Sequence, residues 1–182
     1  MVNKAVFLDR DGVIVVPEFK NGRSYAPKTL KDFRFYKNTL KSITKLKESG
    51  FLVIIVTNQP DVGKKIVKKE IVEQMHKIIT KKFNVDDIEV CYHTQKDNCK
   101  RRKPKPGMIL DSQKKWKIDL QKSYLVGDRK GDIDAAKSVG VSSIFIDHNY
   151  TENKPIDFIY KTDNLMSAVE FIVNSSRIPN DQ

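Results

Sequence analysis

Short apolar, β-branched segments alternate with longer segments of helical periodicity along this chain, and this alternation constrains the fold most strongly. The apolar segments are nearly continuous, as in a parallel sheet that is covered on both faces. They predict five strands at residues 4–9, 51–57, 88–92, 123–127 and 143–147. Apolar residues at helical spacing fill 40–46, 71–79 and 165–172. The pattern predicts an α/β fold, a doubly wound parallel sheet.

The chain has 182 residues, a length that suits one domain. We predict a single domain over residues 1–175 and a polar C-terminal tail at 176–182. No apolar run approaches the ~20 residues that span a bilayer, and the first five residues leave no room for a signal peptide before the first predicted strand. Two cysteines do not make a disulfide framework. We expect a cytoplasmic monomer without membrane contacts.

The net charge of +11 implies an anionic partner but does not identify it. The lysines are spread along the chain, many of them on the polar sides of predicted helices. A nucleic-acid surface usually adds exposed aromatic residues interleaved with the charge, and this pattern is missing from the sequence. The charge therefore predicts a solvated basic surface, and nucleic acid is not the expected partner.

Polar residues follow the predicted strands where each one ends. Asp9 and Asp11 follow the first strand, Thr57 and Asn58 end the second, and Asp128 follows the fourth. Ligands of open α/β sheets bind outside the carboxyl ends of the strands. We therefore expect these side chains to converge on one site.

Carboxylates gathered at one point need a cation, and a set of oxygen ligands suits Mg²⁺. A carboxylate can also act as a nucleophile and form an aspartyl-phosphate. Asp9, at a strand end, is placed for such an attack, while Asp11 could protonate the leaving oxygen and then activate water. A hydroxyl from Thr57 and a lysine would contact the oxygens of a transferring phosphoryl group. The residues predict Mg²⁺-dependent phosphoryl transfer.

Four sequence motifs carry a resemblance to a known family. FLDRDGV at 7–13, VTNQ at 56–59, RKPKPGM at 102–108 and VGDRKGD at 126–132 resemble, in order, the four motifs of haloacid dehalogenase (HAD) superfamily phosphatases. The LDRDG and RKPxPGM forms are similar to the subgroup that contains histidinol-phosphatases and D-glycero-D-manno-heptose-1,7-bisphosphate 7-phosphatases. The resemblance implies a HAD-like Rossmannoid fold and a Mg²⁺-dependent phosphomonoester hydrolase.

The resemblance also implies roles for single residues. Asp9 would be the nucleophile and a Mg²⁺ ligand. Asp11 would be the acid/base and would bind Mg²⁺ through its main-chain carbonyl. Asp128 would be the second carboxylate on Mg²⁺, and Thr57 and Asn58 would hold phosphate.

The third and fourth motifs supply the cations. Lys103 would be the catalytic lysine, with Lys105 as the alternative, and the R-K-P order favours Lys103. Arg102 and Arg129 match positions that contact substrate phosphate in the heptose enzymes. Asp132 would either support the site or cap the helix that follows it.

The segment before the third motif resembles an incomplete zinc loop. Cys91, His93 and Cys99 match the first three ligands of the subgroup's C-x-H…C-x-C pattern, but Arg101 occupies the fourth position. Structural zinc is almost always held by four protein ligands, and an arginine would oppose metal binding. We expect that zinc has been lost. A three-ligand site completed by water, or one completed by another residue, remains open.

The number of residues between the first two motifs limits the size of any cap over the site. About 45 residues separate Asp11 from Thr57, including a helix and a strand, so the loop at 15–35 has room for a small flap but not for a cap domain. The resemblance thus implies an essentially capless enzyme. Basic residues around the site fit a small phosphorylated sugar with a second phosphate. Heptose 1,7-bisphosphate is the first expectation, and histidinol phosphate and a polynucleotide 3'-phosphate are the alternatives.

Overall fold

The computed structural model describes residues 2–176, which form a six-stranded parallel sheet with helices on both faces and a separate two-stranded hairpin. The strands are β1 (Lys4–Leu8), β2 (Glu18–Lys20), β3 (Arg23–Tyr25), β4 (Phe51–Asn58), β5 (Asp87–Cys91), β6 (Tyr124–Gly127), β7 (Ser142–Ile146) and β8 (Tyr160–Thr162). The helices are α1 (Thr39–Glu48), α2 (Pro60–Gly63), α3 (Lys69–Phe83), α4 (Gly107–Trp116), α5 (Lys130–Lys137) and α6 (Leu165–Ser175).

Alternate residues of β1 face opposite sides of the sheet, which explains why this segment is apolar throughout. Val6 and Leu8 belong to the core on the side of α1, α3 and α6. Ala5 and Phe7 belong to the core on the side of α4 and α5. All four are completely buried. The predicted doubly wound parallel α/β sheet is confirmed.

The order of the strands places three polar tips next to one another. The sheet runs β5-β4-β1-β6-β7-β8, so β1 lies between β4 and β6. Leu8 pairs in register with Ile55 on one side and with Val126 on the other. Because all three strands are parallel, their carboxyl ends meet at the same edge of the sheet.

The five predicted strands are present with boundaries shifted by one residue or none. The sequence patterns missed β8, a short strand at the edge of the sheet with residues that are only partly covered. They predict a loop at 15–35, where the structure has a small antiparallel hairpin of β2 and β3. Within residues 2–176, no helix is both long and apolar enough to cross a bilayer. Except for Ser176, the predicted tail lies outside the described residues.

Candidate active site

Three buried carboxylates meet beyond the ends of β1 and β6. Oxygen atoms of Asp9, Asp128 and Asp132 lie within 4.8 Å of one another. Among the described residues, no donor makes a well-aligned hydrogen bond to either carboxylate oxygen of Asp128, although the Tyr150 hydroxyl lies nearby. Burial, together with the charges of Asp9 and Asp132, raises the pKa of Asp128 well above its usual range. Burial likewise raises the pKa of Asp132 to about 6. An all-oxygen donor set with buried atoms that lack a well-aligned donor fits a hard cation such as Mg²⁺.

Gly12 allows the first and fourth motifs to approach each other. Its φ of 95° lies in the region that residues with side chains rarely adopt, and a Cβ atom there would lie 2.0 Å from Oδ2 of Asp128. Any larger residue would displace either the main chain or the carboxylate. The glycine of the LDRDG motif is therefore required by packing around the carboxylates.

Lys103 supplies the positive charge of the cluster. Its Nζ donates to Oδ1 of Asp9 at 2.7 Å and to the carbonyl of Val56 at 2.7 Å, and it lies 2.5 Å from Oδ1 of Asp132. Burial alone would lower the pKa of Lys103, but the carboxylates of Asp132 and Asp9 raise it above its usual range. Lys105 instead donates to Asn98 in an exposed loop. The structure thus places Lys103, and not Lys105, against the predicted nucleophile.

Asn58 fixes the main chain of Lys103. Its Nδ2 donates to the Lys103 carbonyl at 3.0 Å, and its Oδ1 accepts from the Lys103 amide at 3.1 Å. Asn58 also lines the cavity described below, and its contact with phosphate stays a prediction. Thr57 is buried, and its hydroxyl oxygen accepts a hydrogen bond from Nε2 of Gln59 at 2.9 Å.

The side chain of Asp11 turns away from the three carboxylates. Its Oδ2 accepts from Gln59 at 2.7 Å, and Nε of Arg10 donates to both of its oxygens at 3.1–3.2 Å. Burial raises the pKa of Asp11, although the charge of Arg10 opposes the shift. The metal role predicted for Asp11 therefore depends on its main-chain carbonyl.

Asp132 takes both of the roles that the sequence left open. One carboxylate oxygen pairs with Lys103, and the other accepts from the amide of Arg129 at 3.1 Å, at the start of α5. The side chain thus caps a helix and anchors the lysine.

A cavity of about 460 Å³ opens above Asp9. The hairpin of β2 and β3 forms one wall, held by Arg129, whose guanidinium donates to the carbonyl and hydroxyl of Ser24 at 2.5 and 2.7 Å. Arg102, also on the wall, donates to the carbonyl of His93 at 3.1 Å. The lining contains the carboxylates of Asp9, Asp11, Asp61, Asp132 and Glu152 together with six basic residues, which suit an anionic ligand: Arg23, Lys64, Arg102, Lys103, Arg129 and Lys130.

The predicted zinc ligands are also brought together. One atom each from Cys91, His93 and Cys99 lies within 4.8 Å of the others. Arg101 points its guanidinium away, to Glu89 at 2.5 Å and to Asp111. A hydrogen bond from the Arg101 main chain lowers the pKa of Cys99. Within residues 2–176 the cluster has no fourth metal-binding side chain, so it does not match a closed structural zinc site.

The sequence patterns gave no role to several residues that surround the site. Gln59 directly follows Thr57 and Asn58, and its place as a third polar residue at the end of a strand could have indicated a role in the site. Arg10 lies inside the first motif, but nothing in the sequence indicated that it is completely buried. His76 and Ser24 contact the site's residues from distant segments, which only the folded chain reveals.

The fold and the site together define a haloacid dehalogenase superfamily phosphatase, a hydrolase of phosphate esters. A sequence model described as polynucleotide kinase 3 phosphatase matches residues 4–164, and the chain belongs to this family.

Curated relatives agree with this class. The chain is 33% identical over 149 residues to the D-glycero-beta-D-manno-heptose-1,7-bisphosphate 7-phosphatase of Rhodopseudomonas palustris, covering 75% of this chain and 79% of that protein. It is 34% identical over 149 residues to the histidine biosynthesis bifunctional protein HisB of Campylobacter jejuni, covering 79% of this chain but only 42% of HisB.

Among solved structures, the D,D-heptose 1,7-bisphosphate phosphatase from B. bronchiseptica, complexed with magnesium and phosphate, superposes with a TM-score of 0.81. The identity is 22%, and the match covers 94% of this chain and 99% of that one. At this identity the likeness supports the fold alone.

Proposed function

We propose that this protein is a Mg²⁺-dependent D-glycero-D-manno-heptose-1,7-bisphosphate 7-phosphatase that acts through an aspartyl-phosphate on Asp9. One observation carries the proposal. Asp9 stands at the end of β1, and Nζ of Lys103 lies 2.7 Å from its carboxylate. The carboxylate of Asp128 lies beside it, and its oxygens have no well-aligned hydrogen-bond donor among the described residues. A nucleophile, a fixed cation and a potential metal ligand thus lie side by side beyond the ends of β1 and β6.

The reaction would proceed in two displacements at phosphorus. In the first, a carboxylate oxygen of Asp9 attacks, the ester P–O bond breaks, and Asp11 gives its proton to the departing alkoxide. In the second, Asp11 takes a proton from water, which attacks the same phosphorus and releases phosphate from Asp9. Lys103 and Thr57 would stabilise charge on the equatorial oxygens throughout.

Asp9, Asp128 and the main-chain carbonyl of Asp11 would hold Mg²⁺. When bound, the ion would neutralise negative charge on the phosphoryl group and on the clustered carboxylates. Asp132 lies in the same cluster, but its oxygens are already engaged by Lys103 and by the Arg129 amide. It is therefore expected to anchor the lysine.

Two observations support a bisphosphate sugar as the substrate. Relatives at 32–33% identity, over about four fifths of their length, carry the heptose bisphosphate phosphatase name. The cavity also carries cations beyond Lys103, including Arg102 and Arg129, which could contact a second phosphate as bidentate partners. The proposal places the enzyme in heptose or lipopolysaccharide biosynthesis, as a cytoplasmic monomer.

Two other substrates have specific support. Relatives named HisB match at 34% identity and favour histidinol phosphate. The description of the matching family, together with the net charge of +11, favours a polynucleotide 3'-phosphate. The hairpin and the loop that contains Arg102 border a cavity of about 460 Å³, a volume typical of sites for small ligands, which favours a small substrate over a polymer.

Phosphate release from heptose 1,7-bisphosphate, histidinol phosphate and a 3'-phosphorylated oligonucleotide would test the proposal. We expect the highest kcat/KM for the heptose, full loss of turnover on chelation of Mg²⁺, and loss of turnover in Asp9→Asn. Asp157→Asn, on the exposed surface, is the matched control. A higher kcat/KM for either rival would overturn the substrate assignment. Activity that survives chelation, or survives in Asp9→Asn, would overturn the mechanism.

A further inference from the structure

Arg10 lies inside the first motif, where the proposed reaction gives it no role. It is the largest completely buried side chain among the described residues. A buried guanidinium is costly unless it is paired and hydrogen-bonded. Its only carboxylate partner among residues 2–176 is Asp11, with Nη2 3.0 Å from Oδ2. In the described part of the chain, the carboxylate that pairs with this large buried cation is thus that of the proposed acid/base.

His76 fixes the other end of this guanidinium. Its Nε2 lies 3.2 Å from Nη1 of Arg10. An arginine can only donate hydrogen bonds, so Nε2 must be the unprotonated nitrogen that accepts. Burial and the adjacent charge of Arg10 lower the pKa of His76 to about 3, which is consistent with a neutral ring. Phe33 lies below the guanidinium, with its ring centroid 5.8 Å from the Arg10 Cζ atom.

Gln59 holds the carboxylate of Asp11 from a second direction. Its Nε2 donates to Oδ2 of Asp11 at 2.7 Å and to the hydroxyl oxygen of Thr57 at 2.9 Å. Gln59 is nearly completely buried, and its main-chain amide donates to the Cys91 carbonyl at 2.8 Å. The side chain of Gln59 thus connects the acid of the first motif to the hydroxyl of the second.

We propose that Arg10, fixed by His76, and Gln59 are positioning residues that hold the Asp11 carboxylate in the orientation required for proton transfer to the leaving oxygen. This inference rests on the proposed function. A carboxylate that was free to rotate would spend less time aligned with the leaving oxygen, and misalignment of a reacting group is costly to rate. None of the three residues needs to contact the substrate for this role.

The leaving group distinguishes positioning from a purely structural role. A sugar alkoxide needs a proton as it departs, whereas a nitrophenolate does not. The measurement is the rate of leaving-group release in the first turnover, with heptose 1,7-bisphosphate, histidinol phosphate and nitrophenyl phosphate as substrates. The first turnover excludes the later water attack, which is common to all three.

Gln59→Met removes the donor at similar volume. We expect release of the alkyl leaving groups to slow by roughly 10-fold to 100-fold, a part of what a general acid contributes. Nitrophenolate release should slow much less, and only through the lost hydrogen bond to Thr57. His76→Leu should show a smaller selective loss, and His76→Gln, which retains an acceptor for Arg10, should restore the rate. Gln74→Met, on the exposed side of α3, is the matched control, and thermal unfolding checks that each variant folds.

Equal slowing of all three substrates, or no slowing of any, would overturn the inference while leaving the proposed function intact. A His76→Leu variant that matches the rate of His76→Gln would also contradict it. If the wild-type protein hydrolysed only nitrophenyl phosphate, both the substrate assignment and the inference would be overturned, because Asp11 would not be acting as an acid.

Discussion

Among residues 2–176, two clusters bring together three side chains of the types that bind metals, and a basic residue lies next to each. In the carboxylate cluster of Asp9, Asp128 and Asp132, the cation Lys103 contacts two of the members directly. In the thiol cluster of Cys91, His93 and Cys99, the guanidinium of the accompanying Arg101 contacts Glu89 and Asp111 instead.

The two clusters differ in which of their side chains the basic residue contacts. Lys103 compensates Asp9 and Asp132, and Asp128 keeps two buried oxygens without a well-aligned donor among the described residues, so the carboxylate cluster can still take a divalent ion. Arg101 links β5 to α4 through Glu89 and Asp111. We propose that the first cluster binds a metal ion and that, next to the second, this ion-pair network takes the place of a structural zinc ion.

The largest effect that separates the clusters should come from removing the two cations. Lys103→Met is expected to lower kcat by roughly 10²–10³-fold, as loss of one preorganised donor to a transition-state oxygen does. Arg101→Met should leave kcat nearly unchanged. Steady-state kinetics check both, with Lys105→Met as the control for a loop lysine. A comparable loss of kcat in Arg101→Met would break the comparison.

The thiol cluster should regain metal when its fourth ligand is restored. We expect the wild-type protein, purified without chelator, to contain no zinc, and Arg101→Cys to bind about one zinc per chain, because structural sites have four ligands. Elemental analysis measures both, and Arg102→Cys is the neighbouring control. One zinc per wild-type chain would show that three ligands suffice and that the ion-pair network does not take the place of zinc.

The smallest effect concerns stability. Folding raises the pKa of Asp128 above its ordinary value of 3.8. The folded state therefore binds protons more tightly than the unfolded state, and the free energy of unfolding falls as pH rises through the raised pKa. Asp128→Asn removes this cost. We expect it to stabilise the metal-free protein at about pH 8, because an asparagine has no charge to bury.

Denaturant titrations with a chelator, at about pH 5 and about pH 8, would measure the gain, which must be larger at the higher pH. Added Mg²⁺ should stabilise the wild-type protein more than the variant, because binding to the folded state stabilises it by mass action. An Asp128→Asn protein that is less stable than the wild type at the higher pH would contradict the account of an uncompensated carboxylate.

Apolar segments of the sequence predict the strands that are buried on both faces of the sheet. The buried strands β1, β4 and β6 are apolar enough to be recognised alone. Because ligands of open α/β sheets bind at the carboxyl ends of the strands, the sequence predicts that Asp9, Thr57 and Asp128 converge, but the order of the strands in the sheet is known only from the structure. Short elements were not predictable in this way. The strands of the hairpin have three residues each, and their position depends on Arg129 and on loop 149–153.

The orientation of single side chains also depends on contacts distant in sequence. The sequence placed Asp11 near the site, but the rotation of its carboxylate toward Arg10 and Gln59 results from a buried guanidinium that His76 holds from α3. In the same way, the sequence left two roles open for Asp132, and only the packing of Lys103 against α5 shows that both are fulfilled.

The phosphorylated residue in a quenched reaction tests the central claim most directly. Nitrophenyl phosphate is mixed with an Asp11→Asn variant, in which attack by water is slowed, and the acid-quenched protein is digested and mapped by mass spectrometry. The account predicts a burst of nitrophenolate and a phosphoryl group on Asp9. A phosphoryl group on any other residue, or steady release of nitrophenolate without a burst or a phosphorylated peptide, would contradict it.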